Sequence, residues 1–338
     1  MSGAGPHAAG GERLRVGVLG AAGQVGRCLV RSVEAAPDCE LAFAATRAEI
    51  DLADPSAIGP WLGRSTPPPD VVINAAGFTK VDACESQVAL ARQMNAEMPG
   101  AWARALAARG IGFVHLSTDY VFPGDGTRPY REDDPTGPRS VYGETKLEGE
   151  ARVRESDPDA LVVRTSWVFG PGRNFVIAIL DQAMKRRTGE AAGPLRVVDD
   201  QQGSPTAAAD LADGLLALCR LRAEGRSDVR GLLHLCNAGV TTWFGFARAI
   251  LDQTGHGDIE IDPIPTGTFA TAAQRPAYSV LDCERARKLG VSLRPWTEAL
   301  TGYLAGPDRP SSLIASGSPA GSPSASSSSE PVRRKVSQ

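Results

Sequence analysis

Residues 14–33 constrain the fold of this chain more than any other stretch. Leu14-Arg-Val-Gly-Val-Leu19 is a short apolar run. Gly20-Ala-Ala-Gly23-Gln-Val-Gly26 follows at once, and Arg27-Cys-Leu-Val-Arg-Ser-Val33 comes next. The three parts read as a buried strand, a tight turn and a helix. Glycines at this spacing let the backbone approach a pyrophosphate closely and turn a helix N-terminus, with its partial positive charge, towards it. A glycine triplet alone often marks only a turn. Its place in the first β-α unit makes Gly20, Gly23, Gln24, Val25 and Gly26 a candidate dinucleotide cradle.

The pattern continues as alternating strands and helices. Strands are expected at 41–45, 70–77, 111–116 and 161–165, with a helix from Gln93 to Arg109. Such alternation argues for an α/β fold with a doubly wound, parallel Rossmann-type sheet. After the second strand come Thr46-Arg47 and Glu49-Ile-Asp51-Leu52. An acidic residue there would suit a ribose 2′-hydroxyl, whereas Arg47 suits a 2′-phosphate and so favours NADPH over NADH. Asp51 and Leu52 are candidates for the adenine side. The third strand ends in Asn74-Ala75-Ala76-Gly77, whose small side chains leave room for a cofactor at the carboxyl end of the sheet.

Past residue 168 the pattern loosens into helices at 174–187, 207–218 and 242–253 and short strands at 196–198 and 232–235. The expected division is a tail at 1–13, an NAD(P)-binding Rossmann-type domain at 14–168, a smaller α/β annex for substrate at 169–305, and a disordered Ser/Pro-rich tail at 306–338. The formal net charge is -3. That gives no reason to expect nucleic acid as a partner. There is no run of about 18 apolar residues to span a membrane, and the first residues do not read as a secretory signal. The six cysteines are scattered without C-x-x-C pairs. They read as small buried thiols of a cytoplasmic protein, not as ligands of zinc.

Candidate chemistry gathers at the ends of two elements. Thr118 ends the fourth strand, and Tyr142 and Lys146 stand four residues apart in Ser140-Val-Tyr-Gly-Glu-Thr-Lys146. On a helix that spacing puts phenol and ammonium on one face. The expected roles are Tyr142 as proton donor to a carbonyl oxygen, Thr118 as the orienting hydrogen bond, and Lys146 as the cation that lowers the Tyr142 pKa and holds a nicotinamide ribose. A Thr at a strand end is also an ordinary cap. His115, inside the apolar strand, reads as a satisfied core histidine. Asp133-Asp134 reads as a solvated turn.

In order, the glycine turn, Asn74-Ala-Ala, Ser117-Thr118 and Tyr142-x-x-x-Lys146 resemble the extended short-chain dehydrogenases that act on nucleotide sugars. Longer strings are similar to the dTDP-4-dehydrorhamnose reductase family. They include Asn74-Ala-Ala-Gly-Phe-Thr79, Ser117-Thr-Asp-Tyr-Val-Phe-Pro-Gly124, Arg164-Thr-Ser-Trp-Val-Phe169, Asp200-Gln-x-Gly-Ser-Pro-Thr206, Thr241-Thr-Trp243 and Arg275-Pro. The resemblance implies reduction of the 4-keto group of a dTDP-4-keto-6-deoxy-L-hexose, with NADPH or NADH as cofactor. It implies Thr118, Tyr142 and Lys146 as the catalytic trio, Ala75, Ala76 and Thr79 beside the cofactor, and Thr79, Val81, Thr118, Trp167, Asn174, Phe175 and Arg275 around the sugar nucleotide.

It also allows a homodimer. Some members bind Mg²⁺ through an acidic residue just after the glycine turn. Here Arg27-Cys28 stand there and Ala207-Ala-Ala209 replace a second carboxylate, so no metal is expected. Two alternatives stay open: a reductase of a related dTDP-4-keto-deoxysugar such as the dihydrostreptose precursor, and a non-catalytic NADP-binding regulatory subunit. A 4,6-dehydratase is disfavoured, because Asp119 is followed by Tyr120 and not by Glu.

Overall fold

The computed structural model describes residues 13–310. Its main-sheet strands are β1 (Leu14–Leu19), β2 (Cys39–Ala45), β3 (Val71–Asn74), β4 (Gly112–Thr118) and β5 (Leu161–Thr165). Between and around them run α1 (Gln24–Ala35), α2 (Met98–Ala107) and α3 (Val141–Ser156). The second half contains α4 (Phe175–Arg187), β6 (Leu195–Val198), α5 (Ala208–Ala223), β7 (Gly231–His234), α6 (Trp243–Gln253), β8 (Ile261–Ile264) and α7 (Trp296–Ala305).

Six strands form one parallel sheet in the order β7-β5-β4-β3-β1-β2. The order reverses between β1 and β3, which makes the crevice beyond their carboxyl ends the natural ligand site. Strands buried on both faces need apolar runs. Val71, Val72 and Ile73 of β3 are buried, as are Leu161, Val162 and Val163 of β5. One side of the sheet packs α1 and α5 through Leu29, Val33, Leu211 and Leu215. The other packs α2 and α3 through Trp102, Leu106 and Val153. The annex has its own core, with Val176, Leu180, Phe246, Ile250 and Leu300.

The expected doubly wound sheet is present, and most expected elements lie within a few residues of their observed bounds. One difference bears on the domain division. β7 pairs in register with β5, Leu233 opposite Val163, and α5 packs on α1. The chain leaves the sheet near residue 168 and comes back to finish it. Residues 208–234 therefore complete the main sheet and its α1 side. The expected helix from Gln93 also starts differently. Gln93–Glu97 is a π-helical turn, and α2 follows it. The N-terminal tail, apart from Arg13, and the Ser/Pro-rich tail beyond residue 310 lie outside the described residues. Residues 306–310, expected to begin that tail, are placed: Asp308 pairs with Arg31 of α1.

A buried ion pair joins α3 to the sheet. Glu150 accepts from Arg164 of β5 at 2.7 and 2.9 Å and from the Ser117 hydroxyl of β4 at 2.5 Å. The two charged side chains are 0% and 2% exposed, and the guanidinium lies over the Phe122 ring at 4.9 Å. Removing one partner strands a buried charge, which typically costs about 3–5 kcal/mol, whereas replacing both by apolar groups costs far less. Glu150→Gln should lower the unfolding free energy by about that amount in urea titration. The double variant Glu150→Leu/Arg164→Met should recover most of it. Equal loss in the single and double variants would show that the pair is not what anchors the helix.

Candidate active site

The site begins with the cradle. Gly20 has φ +77°, and a Cβ there would lie 2.7 Å from the Ala76 nitrogen. Only glycine lets β1 turn so close to the end of β3. Gly23 is the N-cap of α1; no side chain caps that end and no acidic residue occupies its first turn. The free N–H groups and the helix dipole are therefore left for an anion, which fits a dinucleotide pyrophosphate. Val25 packs against the core, and the Gln24 amide donates to the Arg173 carbonyl at 2.7 Å, reaching into the annex. Beyond β2, Arg47 is exposed in the turn while Glu49 accepts from Thr46. Asp51 is exposed and caps Ala53, and Leu52 is buried in the core.

The cap of α3 is Ser140, whose hydroxyl accepts from the Gly143 N–H at 3.2 Å. A Cβ at Gly143 would collide with the Tyr120 carbonyl oxygen, so this glycine brings the first turn of α3 against the 119–121 turn. Thr118 is the strand-end cap that its position suggested. Its hydroxyl caps Tyr120 at 3.3 Å and donates to Asp119 Oδ1 at 2.9 Å, and it lowers the pKa of the nearby Tyr142 phenol. Tyr120 stands edge-on to Tyr142, with ring centroids 5.6 Å apart.

The expected effect of Lys146 on Tyr142 is not what the structure has. Burial pushes the phenol well above its usual value, Thr118 pulls it back, and the neighbouring Asp119 charge pushes it up again. Lys146 Nζ is directed elsewhere: it donates to the Leu116 carbonyl at 2.6 Å and meets His115 Nε2 at 3.3 Å. Spacing placed the two groups on one helix, but burial dominates the phenol and Lys146 is not among the groups that shift it. Lys146 is itself pushed down to about 8 by burial, with Glu150 pulling the other way.

Arg275 pairs with Asp82 at 2.8 and 3.2 Å and acts electrostatically on Tyr120. Asp82 also accepts from Ala273, so the 270s loop is fastened beside Thr79, which is exposed, and Val81. On the annex side Trp167 stacks on Trp243, with centroids 3.6 Å and planes 5° apart, and Phe175 meets Trp243 at 4.6 Å. Trp167 has φ +48°. A large side chain in the left-handed region costs of order 1–2 kcal/mol, which the stack offsets. Asn174 is turned to structure: its amide caps α4 and bonds Gly170, Gly172 and the Tyr303 hydroxyl.

Three participants were not singled out from sequence. Asn95, fully buried in the π-helical turn, accepts from Phe78 N–H at 2.8 Å and donates to the Phe78 carbonyl at 3.1 Å and to Thr145 of α3 at 3.2 Å. It thereby fixes the turn that carries Thr79. Trp243 completes the aromatic wall; the string Thr241-Thr-Trp243 marked its place but not its role. Asp119 is buried beside Thr118, and burial pushes its carboxyl up to about 6, with the hydroxyls of Ser279 and Thr118 pulling the other way.

Among the described residues no group of three or more His, Cys, Asp or Glu is placed to hold a metal ion. Cys28 and Ala207, Ala208 and Ala209 line one cavity beside α1 and α5, so the two departures from the metal-binding pattern lie together. All six cysteines are free, and among the described residues no helix is long and apolar enough to cross a membrane.

A family model described as the RmlD substrate binding domain matches residues 14–307. The chain belongs to this family. It is 40% identical over 310 residues to the dTDP-4-dehydrorhamnose reductase of Mycobacterium tuberculosis, a match that covers 90% of this chain and 96% of that one. It is 41% identical over 286 residues to the probable dTDP-4,6-dihydroxy-2-methyloxan-3-one 4-ketoreductase of Streptomyces antibioticus, covering 84% and 92%. Among solved structures, the dTDP-4-dehydrorhamnose reductase of Bacillus anthracis in complex with NADP superposes with a TM-score of 0.77 at 30% identity, covering 87% of this chain and 99% of that one.

Asp119 makes the fold pH-dependent. The native carboxyl keeps its proton to about pH 6, while the unfolded one loses it near 3.8. Between those values the native state binds more protons, so the stability Asp119 lends at low pH is lost as pH rises through 6. Asp119→Asn should abolish that descent and change the difference in unfolding free energy between pH 4 and pH 7 by on the order of 3 kcal/mol. Denaturant titrations at both pH values test this, and equal differences in the two proteins would refute it.

Proposed function

We propose that this protein reduces the 4-keto group of a dTDP-4-keto-6-deoxy-L-hexose, forming dTDP-L-rhamnose from dTDP-4-dehydrorhamnose, with NADPH as reductant. The observation that carries this reading is Tyr142, a phenol kept protonated by burial and set beside Thr118 at the mouth of the sheet. The dinucleotide supplies hydride when bound. As a carbonyl oxygen gains charge, Tyr142 gives it a proton and Thr118 holds it in line. Lys146 is the residue that would hold the nicotinamide ribose. The uncapped α1 terminus, Gly20 and Ala75-Ala76 suit the pyrophosphate and nicotinamide, and Arg47 suits the 2′-phosphate.

Arg275 supports the substrate assignment, because a guanidinium fork matches a diphosphate. The Trp167–Trp243 stack and Phe175 give an apolar wall against which a deoxysugar face can lie. A cytoplasmic location is in keeping with a nucleotide-sugar substrate.

A second reading has a specific observation behind it. The S. antibioticus relative is a ketoreductase of a differently modified dTDP sugar, and it is as similar to this chain as the rhamnose enzymes are. A panel of dTDP-4-keto sugars decides between them: rhamnose formation is expected to show the highest kcat/KM, and preference for another keto sugar would move the assignment to it.

Tyr142→Phe should lower kcat by about 10²–10⁴-fold with the cofactor still bound, the usual worth of a positioned general acid. Full turnover in that variant would remove the proton donor. Arg47→Asp should shift the NADPH-to-NADH ratio of kcat/KM towards NADH, and an unchanged ratio would exclude Arg47 from the 2′-phosphate site.

A further inference from the structure

His115 is buried, and its ring is engaged on both sides. Nδ1 lies 3.1 Å from Asn74 Nδ2, and Nε2 lies 3.3 Å from Lys146 Nζ. The Asn74 amide has one workable orientation, because its Oδ1 accepts from the Ala76 N–H at 3.0 Å. Turned over, it would set its NH₂ against that N–H. Asn74 therefore donates to Nδ1, and a neutral imidazole that accepts at Nδ1 carries its hydrogen on Nε2. The charged imidazolium is disfavoured, since burial and then Lys146 hold this ring well below its usual pKa.

The Nε2–H thus points at the lysine nitrogen. An ammonium has three donors and no acceptor, so an N–H facing it is unmatched, whereas a neutral amine has a lone pair to receive it. With its hydrogens the amine can hold the Leu116 carbonyl, 2.6 Å away, and keep one for a ligand. The charged or titratable groups around Nζ are few. His115 faces it from β4. Glu150, one turn along α3, is taken up by Arg164, and Tyr142 lies one turn back.

We infer that His115, locked by Asn74 in its Nε2–H tautomer, is a positioning residue that makes Lys146 give up its proton readily. This rests on the reading of Lys146 as the residue that holds the nicotinamide ribose. The lowered pKa of Lys146, about 8, runs in the same direction. The chain Ala76–Asn74–His115–Lys146–Leu116 also joins the cofactor turn to the catalytic helix, because Ala76 is the residue that packs against Gly20.

Two measurements test it. In protein labelled with ¹⁵N-histidine, the resonance assigned to His115 by its loss in His115→Phe should be that of a neutral ring with hydrogen on Nε2 from pH 6 to 9. The second is the pH profile of kcat/KM for keto-sugar reduction at saturating NADPH. Asn74→Asp gives Nδ1 an acceptor, moves the hydrogen there and turns Nε2 into an acceptor for an ammonium. His115→Phe removes the opposing N–H without adding charge. On this reading the alkaline limb marks loss of the Lys146 proton, and in both variants it should move up by about one pH unit or more. A merely structural role would lower the rate at every pH and leave the limb in place. Hydrogen found on Nδ1 in the unaltered protein, or an unmoved limb in either folded variant, overturns the inference. The nitrogen spectrum needs no substrate, so failure to reduce the keto sugar would count against the reductase assignment alone.

Discussion

Glu150 and Arg164 are two charges with almost no water between or around them. In that setting the geometry of the pair is nearly obligatory, because any rotation of α3 that parted them would leave both unsolvated. Tyr142, Lys146 and Glu150 recur every fourth residue and so share one face of the helix. Fastening the last of them to β5, and to Ser117 of β4, sets the azimuth of the other two. Thr118, the residue after Ser117, ends the same strand. The relation of phenol to threonine is thus fixed from behind, by groups that never touch a substrate.

Much of this was legible in the amino-acid order, and for local reasons. The strand, glycine turn and helix at 14–35 are short-range features, as is the four-residue spacing of Tyr142 and Lys146. Ionisation was not legible. Spacing suggested that Lys146 would make Tyr142 more acidic. The fold instead buries the phenol and turns the ammonium towards Leu116 and His115, a result set by residues distant in sequence. His115 was correctly read as a satisfied core histidine, but the identity of its partners is tertiary information. Asn95 was hidden for a similar reason. It sits in a π-helical turn, and no local pattern announces that its amide will reach both Phe78 and Thr145.

The site has two sides of different character. Towards the cofactor it is polar and hydrogen-bonded, with Thr118, Asp119, Tyr120 and the Arg275–Asp82 pair. Towards the annex it is aromatic, with Trp167, Trp243 and Phe175. The left-handed backbone at Trp167 is what lays its ring flat on Trp243, and Gly203 leaves the space for it. The cofactor half presents polar groups to the site, while the flat apolar wall offers shape and little charge.

The return of β7 to the sheet has a consequence for how the molecule comes into being. A chain emerging from the ribosome has made the glycine turn by residue 26 and the helix that carries Tyr142 and Lys146 by residue 156, yet the β5 edge of its sheet stays bare until Gly231–His234 arrives. Until then β5 presents unpaired N–H and C=O groups of the kind that recruit other chains. Pairing across such a span is entropically slow. During synthesis, then, the exposed edge is a hazard that lasts until some seventy further residues beyond β5 have been made, and the second half of the chain protects the first before it ever meets a sugar.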